Sequence, residues 1–237
     1  MEWNVRRVVE TESTNADLAE AARDGAPEGT VIVAGHQTAG RGRLDRTWDA
    51  PPGSGLTMSA LVRPVDLAPE RWPWIPLAAG VAVADALSGL GLMPQLKWPN
   101  DVLLDGAKVA GLLVERVETS IGPAAVVGLG LNVAMTAEQL PVQDATSLAL
   151  HGVEADRDEV LERVLASLAR TYDHVFFDVE ALRSSYVSAC HTVGTYVTVS
   201  LPGGSDLSGT ATDIDTFGRL IVDGNPVTAG DVIHVRA

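Results

Sequence analysis

The sequence predicts an α+β fold, with a mixed β-sheet packed against helices and a small all-β unit at the C-terminal end. Three observations carry this. Turn signals of the hairpin type, Asp105-Gly106 above all, sit between apolar runs of strand length. Residues 74–90 are rich in Ala and Leu, and residues 156–175 carry a helical apolar stripe through Leu161, Val164, Leu165, Leu168 and Tyr172. Beyond Thr192 short strand-like runs are parted by Pro202-Gly203-Gly204, Phe217-Gly218, Asp223-Gly224 and Gly230, the pattern of a small barrel. The regular strand–helix alternation of a parallel sheet is missing.

The elements follow in order. Residues 4–9 read as a strand. Thr14 reads as a helix N-cap with Asp17 as its capping-box-like partner, and the helix runs through Leu18, Ala21 and Ala22 to Gly25. The β-branched run 30–34 reads as a buried strand and 56–62 as another, with a Gly/Arg-rich loop (40–48) and a Pro/Gly-rich segment (51–55) between them. Short strands at 95–98 and 102–104 flank Pro99-Asn100. Strands 108–117 and 124–133 pair through a Gly122-Pro123 turn. Helices at 156–175 and 180–189 follow, then strands at 195–200, 207–214, 219–222 and 232–235. The change of character places a first domain over 1–190 and a second over 191–237.

Composition bounds the function. The chain has 237 residues, 46% hydrophobic and 20% charged, enough to bury a core and unlike a disordered chain. No apolar run approaches the ~18 residues of a membrane span, and the first ten residues, with Glu2, Arg6 and Arg7, lack the apolar core of a secretory signal. The single Cys190 has no internal disulfide partner, which fits a reducing cytoplasm, and with no motif around it reads as a small buried apolar residue. A net charge of −14 argues against a nucleic-acid partner. Of 17 basic residues only Lys97 and Lys108 are lysine. Arginine bias explains the rest. It does not explain two positions that keep a compact ammonium.

Four segments carry candidate chemistry. In Gly40-Arg41-Gly42-Arg43-Leu44-Asp45-Arg46-Thr47-Trp48, the glycines allow close backbone approach and the arginines suit phosphate oxygens. The loop is neither a Walker A loop nor a dinucleotide fingerprint, and a solvated arginine loop would look the same. Lys97-Trp98-Pro99-Asn100-Asp101 packs a cation, an aromatic ring, a bend, an amide and a carboxylate into one turn. Lys108 opens an apolar strand that continues through Gly111 to Glu115, where a lysine either snorkels to water or takes part in chemistry. Gly128-Leu129-Gly130-Leu131-Asn132 places glycines inside a strand, a sign of close approach by a ligand or another backbone.

In this order and spacing, Ser13-Thr14-Asn15 and residues 37–48, 97–101, 108–115 and 128–133 resemble the catalytic domain of the bacterial biotin–protein ligase family, which includes the biotin repressor. Gly209-Thr210-Ala211, Ile214-Asp215, Gly218-Arg219-Leu220 and Gly230-Asp231-Val232 are similar to that family's SH3-like domain. The resemblance implies a class II aminoacyl-tRNA synthetase/biotin ligase-like fold. It implies ATP-dependent activation of biotin to biotinyl-5′-AMP, then transfer to a lysine of a biotin carboxyl carrier domain. Ser13, Thr14, Asn15, Gln37, Gly40, Arg41, Gly42, Arg43, Lys108 and Gly111 would bind biotin. Arg43, Arg46, Trp48, Asn100 and Asn132 would bind ATP and the adenylate, Asn132 at the adenine edge. Lys108, Arg41 and Asp101 would be catalytic. Magnesium is expected with the phosphates, with ligands unassigned. The chain begins too late for the repressor's N-terminal DNA-binding domain, so no DNA partner is expected. Monomer and homodimer both stay open. Asp45 stands where many relatives carry glycine, which leaves the conformation of the loop in question. A lipoate–protein ligase and a non-catalytic adenine-nucleotide-binding module are the rival readings.

Overall fold

The computed structural model describes residues 1–44, 46–64 and 66–234, apart from the side chain of Phe176. Asp45 and Val235 therefore lie outside the described residues. β1 (Asn4–Thr11), α1 (Thr14–Arg23) and β2 (Thr30–Gln37) form a strand–helix–strand unit whose strands run parallel. β3 (Gly55–Val62), β4 (Gln95–Lys97), β5 (Asp101–Leu104), β6 (Ala107–Thr119) and β7 (Gly122–Asn132) complete a seven-stranded sheet in the order β1-β2-β3-β7-β6-β5-β4, with every other pairing antiparallel. The mixed sheet expected from the sequence is present.

Alternation along β7 shows how the sheet is covered. Ala125, Val127, Leu129 and Leu131 face the main core, shared with α2 (Trp74–Ser88), α3 (Arg157–Phe177) and α4 (Val179–Ala189). Ala124 and Val126 face the other way, onto Leu18, Ala19 and Ala22 of α1. Gly128 and Gly130 continue that second face past the apolar contacts of α1, so the sheet there is bare backbone on which side chains can rest. The N-cap of α1 is Ser13, whose hydroxyl accepts from the Ala16 amide, and not Thr14. Thr14 is the first helical residue, which frees its hydroxyl for other contacts. The β6–β7 reversal falls at Ser120-Ile121, with Thr119 paired to Gly122, and so precedes the Gly122-Pro123 turn read from the sequence. The β5–β6 turn is the Asp105-Gly106 pair, both residues at positive φ as a tight hairpin requires.

The C-terminal sheet has the order β11-β10-β9-β8-β12, from β8 (Tyr196–Ser200), β9 (Asp206–Ile214), β10 (Leu220–Val222), β11 (Asn225–Val227) and β12 (Asp231–His234). β11 was not expected, because it is short and contains Pro226. Two indoles dock this sheet on the elements that pack with the seven-stranded one. Trp74 Nε1 donates to the Thr216 carbonyl at 2.9 Å and Trp98 Nε1 to the Gly218 carbonyl at 3.1 Å. No helix among the described residues is long and apolar enough to cross a membrane. Cys190 is buried and its thiol is pushed up by that burial, which fits a packing role.

His234 joins the two sheets. The fully buried Thr192 hydroxyl accepts the Trp98 amide at 3.1 Å and lies 3.1 Å from His234 Nε2. Burial, the Lys97 ammonium and the neighbouring His191 hold His234 down to about 4. The unfolded chain binds this proton near pH ~6.5. The contribution of the neutral ring is therefore complete above ~6.5 and is lost as pH falls toward 4. His234→Gln keeps an acceptor for Thr192 but cannot titrate. Its thermal midpoint is expected to fall less than that of the parent between pH 6.5 and 4; parallel curves would show that His234 is not a titrating latch.

Candidate active site

The site is built on the bare face of the sheet. One transverse row runs Lys97 (β4), Asp101 (β5), Gly111 (β6), Gly130 (β7) and Thr57 (β3), each paired with the next. The row beside it runs Leu113, Gly128 and Ser59. A Cβ on Gly130 would run into the Trp48 indole. A Cβ on Gly111 would lie 3.1 Å from the same ring and 3.0 Å from Lys108 Nζ. A Cβ on Gly128 would strike the Asn15 amide. The strand glycines thus seat two side chains, Asn15 and Trp48, between which the cleft opens.

Lys108 reaches this face through an irregularity. Val102 pairs with Ala110 but Leu103 pairs with Lys108, so Val109 is an extra residue in β6. Without that bulge Lys108 would share the face of Ala110 and Leu112, both in the main core. With it, Lys108 joins Gly111 and Leu113, and its Nζ meets Asp101 Oδ1 at 2.7 Å. The Lys108 backbone is held from the other side by residues 144–146: its amide donates to the Asp144 carbonyl at 2.7 Å and its carbonyl accepts from Thr146 at 2.8 Å.

The α1 end of the cleft is rich in hydrogen bonds. The amide and hydroxyl of Thr14 both lie within reach of Gln37 Oε1, at 2.8 and 2.9 Å. Ser59 Oγ is 2.8 Å from Thr14 Oγ1 and 2.5 Å from Asn15 Oδ1. With one proton to give, Ser59 serves the Asn15 oxygen, which has none. Asn15 Nδ2 donates to Glu115 Oε2 at 2.7 Å and to the Leu113 carbonyl at 3.2 Å. The residues that would meet a polar ligand are held in fixed rotamers before it arrives.

The Gly/Arg loop closes the other side. It is a small hairpin in which Trp48 N–H donates to the Gly40 carbonyl and Arg41 bridges Thr47. Arg41 pairs with Glu115 at 3.1 Å. Arg43 donates to Asn100 Oδ1 at 2.8 Å and to the Gly230 carbonyl at 3.2 Å; burial pulls its guanidinium below the ordinary range, opposed by Asp101 and Asp231. Arg46 pairs with Asp231, whose hydrogen bond raises it. The C-terminal sheet thereby holds two of the three arginines. Trp48 Nε1 is buried without a partner among the described residues, a cost of ~1–3 kcal/mol unless a ligand accepts its proton.

Of the candidates, Ser13, Thr14, Asn15, Gln37, Arg41, Gly42, Arg43, Arg46, Trp48, Asn100, Asp101, Lys108 and Gly111 line one cleft. Gly40 lies at its rim, with Trp48 and Gln37 against it. Asn132 does not open into the cleft. It is 3% exposed, its Nδ2 donates to the Thr146 carbonyl at 2.8 Å, and its backbone carbonyl accepts from Leu148. It fixes the loop that braces Lys108. Ser59, Leu113, Glu115 and Asp231 were not among the candidates. A serine inside the apolar run Leu56-Thr57-Met58-Ser59-Ala60-Leu61 and an acid directly after Gly230 are the signals that could have marked two of them, though not the groups they hold. Among the described residues no three His, Cys, Asp or Glu side chains gather as a metal cage.

Residues 7–132 match the biotin/lipoate A/B protein ligase family, and residues 192–235 match the biotin protein ligase C terminal domain. The chain is 43% identical to the biotin–[acetyl-CoA-carboxylase] ligase of Mycobacterium tuberculosis, over 97% of this chain and 88% of that protein. Its fold is similar to the biotin protein ligase of Aquifex aeolicus in complex with biotin and ATP, with a TM-score of 0.84, 28% identity and 99% of both chains covered. It is also similar to the Leishmania major biotin protein ligase in complex with biotinyl-5-AMP, at TM-score 0.67 and 25% identity over 99% of each chain.

The seating of Trp48 gives a stability test. Gly130→Ala should cost ~1–3 kcal/mol by overpacking, or ~2–4 °C of thermal midpoint per kcal/mol in a chain of this size. The loss should largely vanish in a Trp48→Ala background, since the two sites touch. Additive losses would mean that the indole does not rest on Gly130.

Proposed function

Because this chain belongs to the biotin/lipoate A/B protein ligase family, we propose that it is a biotin–protein ligase, which activates biotin with ATP and passes it to a lysine of a carrier domain. The observation that carries the reading is Lys108, placed by the Val109 bulge at the meeting point of a polar-ended pocket and an arginine loop.

The first step brings together two anions. A carboxylate oxygen of biotin attacks the α-phosphorus of ATP, the bond to the β-phosphate oxygen breaks, and pyrophosphate leaves with that electron pair. The barrier is charge repulsion and orientation. The Thr14, Asn15, Gln37 and Ser59 network suits a ureido ring, which has both donors and acceptors. That end of the cleft orients biotin so that its carboxylate reaches Lys108. The ammonium relieves repulsion with the phosphate, and Arg41, Arg43 and Arg46 supply further positive charge. Trp48 and Asn100 take the nucleotide side. Asn132 acts there through the loop it anchors. In the second step the acceptor amine attacks the acyl carbon and AMP leaves. Asp101, 2.7 Å from Lys108, orients the incoming ammonium and receives its proton.

Magnesium fits as a companion of the phosphates, bound by one or two carboxylates and water rather than by a protein cage. The acceptor is a biotin carboxyl carrier domain of a carboxylase, met in the cytoplasm. The division of the chain at 190/191 separates the reacting domain from a barrel that braces its loop.

The test is biotin-dependent ATP–pyrophosphate exchange with the purified chain. Exchange should require biotin, should not appear with lipoate, and should fall ~10²–10³-fold in Lys108→Gln, the loss typical of removing one electrostatic stabiliser. Exchange without biotin, or full activity in that variant, would overturn the reading.

A further inference from the structure

We propose that the polar cleft between the β4–β5 edge and the start of β12 receives the departing pyrophosphate, and that Lys97 is the residue that holds it there. The inference rests on the function proposed above and assigns the leaving-group side of that site.

A displacement at phosphorus places the attacking and leaving oxygens roughly in line, on opposite sides of the reacting centre. Biotin enters from the α1 end and its carboxylate stops at Lys108. The leaving group must then move away on the far side of Lys108. A second cleft of about 500 Å³ opens there, and it shares Arg46, Asp101, Lys108 and Asp231 with the first. Its outer wall adds Lys97 and His234.

Lys97 is fixed in this wall by register. It pairs directly with Asp101 across β4 and β5, so both side chains leave the same face of the sheet. Asp101 in turn contacts Lys108. The two lysines of the chain therefore flank one carboxylate, Lys108 toward biotin and Lys97 toward the second cleft. The cleft's cations differ in what they already hold. Lys108 is paired with Asp101 and Arg46 with Asp231, whereas Lys97 has no ion pair among the described residues. His234 is neutral near pH 7 because burial and Lys97 itself keep it so, and His191 packs edge-on against it at 5.1 Å. Lys97 is thus the uncommitted charge that faces the cleft. A compact ammonium suits a mobile polyphosphate, which must be stabilised as charge develops and then released, better than a bidentate fork that grips it.

The experiment separates the half-reactions. Inorganic pyrophosphate is titrated in the biotin-dependent exchange assay for the parent, Lys97→Met and Lys97→Arg. Transfer from synthetic biotinyl-5′-AMP to an acceptor domain is measured in parallel. Lys97→Met is expected to raise the KM for pyrophosphate about tenfold or more, as for loss of ~1.4 kcal/mol of charge interaction. KM for biotin and the transfer rate should stay within about twofold, and Lys97→Arg, which keeps the charge and grips phosphate oxygens more firmly, should not raise the KM for pyrophosphate. If Lys97→Met slows transfer and leaves exchange untouched, the cleft is the acceptor's port and the proposal fails. It fails equally if neither half-reaction changes. Absence of biotin-dependent exchange in the parent would instead strike the function itself, so the two failures are distinguishable.

Discussion

Lys108 meets Asp101 at 2.7 Å because β6 carries one residue more than the strand opposite it. The bulge at Val109 lets a strand whose even-numbered residues feed the main core deliver one even-numbered lysine to the other face. Everything else at the site is arranged around that displacement. Gly111 leaves room for the lysine to lie across the sheet. Residues 144–146 pair with its backbone on the edge of β6 that β7 no longer covers, and Asn132 holds those residues in place from behind.

The same constraint explains the layers. A cleft on a sheet face needs a floor without side chains and walls that do not collapse onto it. Gly111, Gly128 and Gly130 provide the floor. Asn15 at the start of α1 and Trp48 at the end of the arginine loop form walls that rest on it. The C-terminal sheet completes the second wall: Asp231 and the Gly230 carbonyl hold Arg46 and Arg43, while Trp74 and Trp98 dock the turn that follows β9. The C-terminal sheet is joined to the cleft through these contacts rather than appended to it.

Much of this was legible in the residues. Strands, helices and the change of character after Thr192 follow from period and turn chemistry, and the order of short motifs pointed to the cleft. What escaped was set by tertiary partners. Ser13 outcompeted Thr14 as the cap because Gln37 and Ser59 claim the Thr14 hydroxyl. Strand glycines signalled close approach, but not that the approaching groups belong to the chain itself. Asn132 reads as an exposed amide only until the 144–148 loop folds over it. Ser59, Glu115 and Asp231 lie far in sequence from the groups they hold, and no local pattern marks such pairings. The Val109 bulge is equally silent in sequence, since Val109-Ala110 reads as an ordinary apolar run.

In the function proposed, Lys108, re-aimed by one extra residue, is the contact shared by both anionic reactants. The most direct measurement is a crystal structure of the chain with biotin and a non-hydrolysable ATP analogue. The biotin ring system is expected beside Thr14, Asn15 and Gln37, with its carboxylate and the α-phosphate both at hydrogen-bond distance from Lys108 Nζ. Biotin bound elsewhere, or Lys108 still held only by Asp101 with both ligands in place, would contradict it.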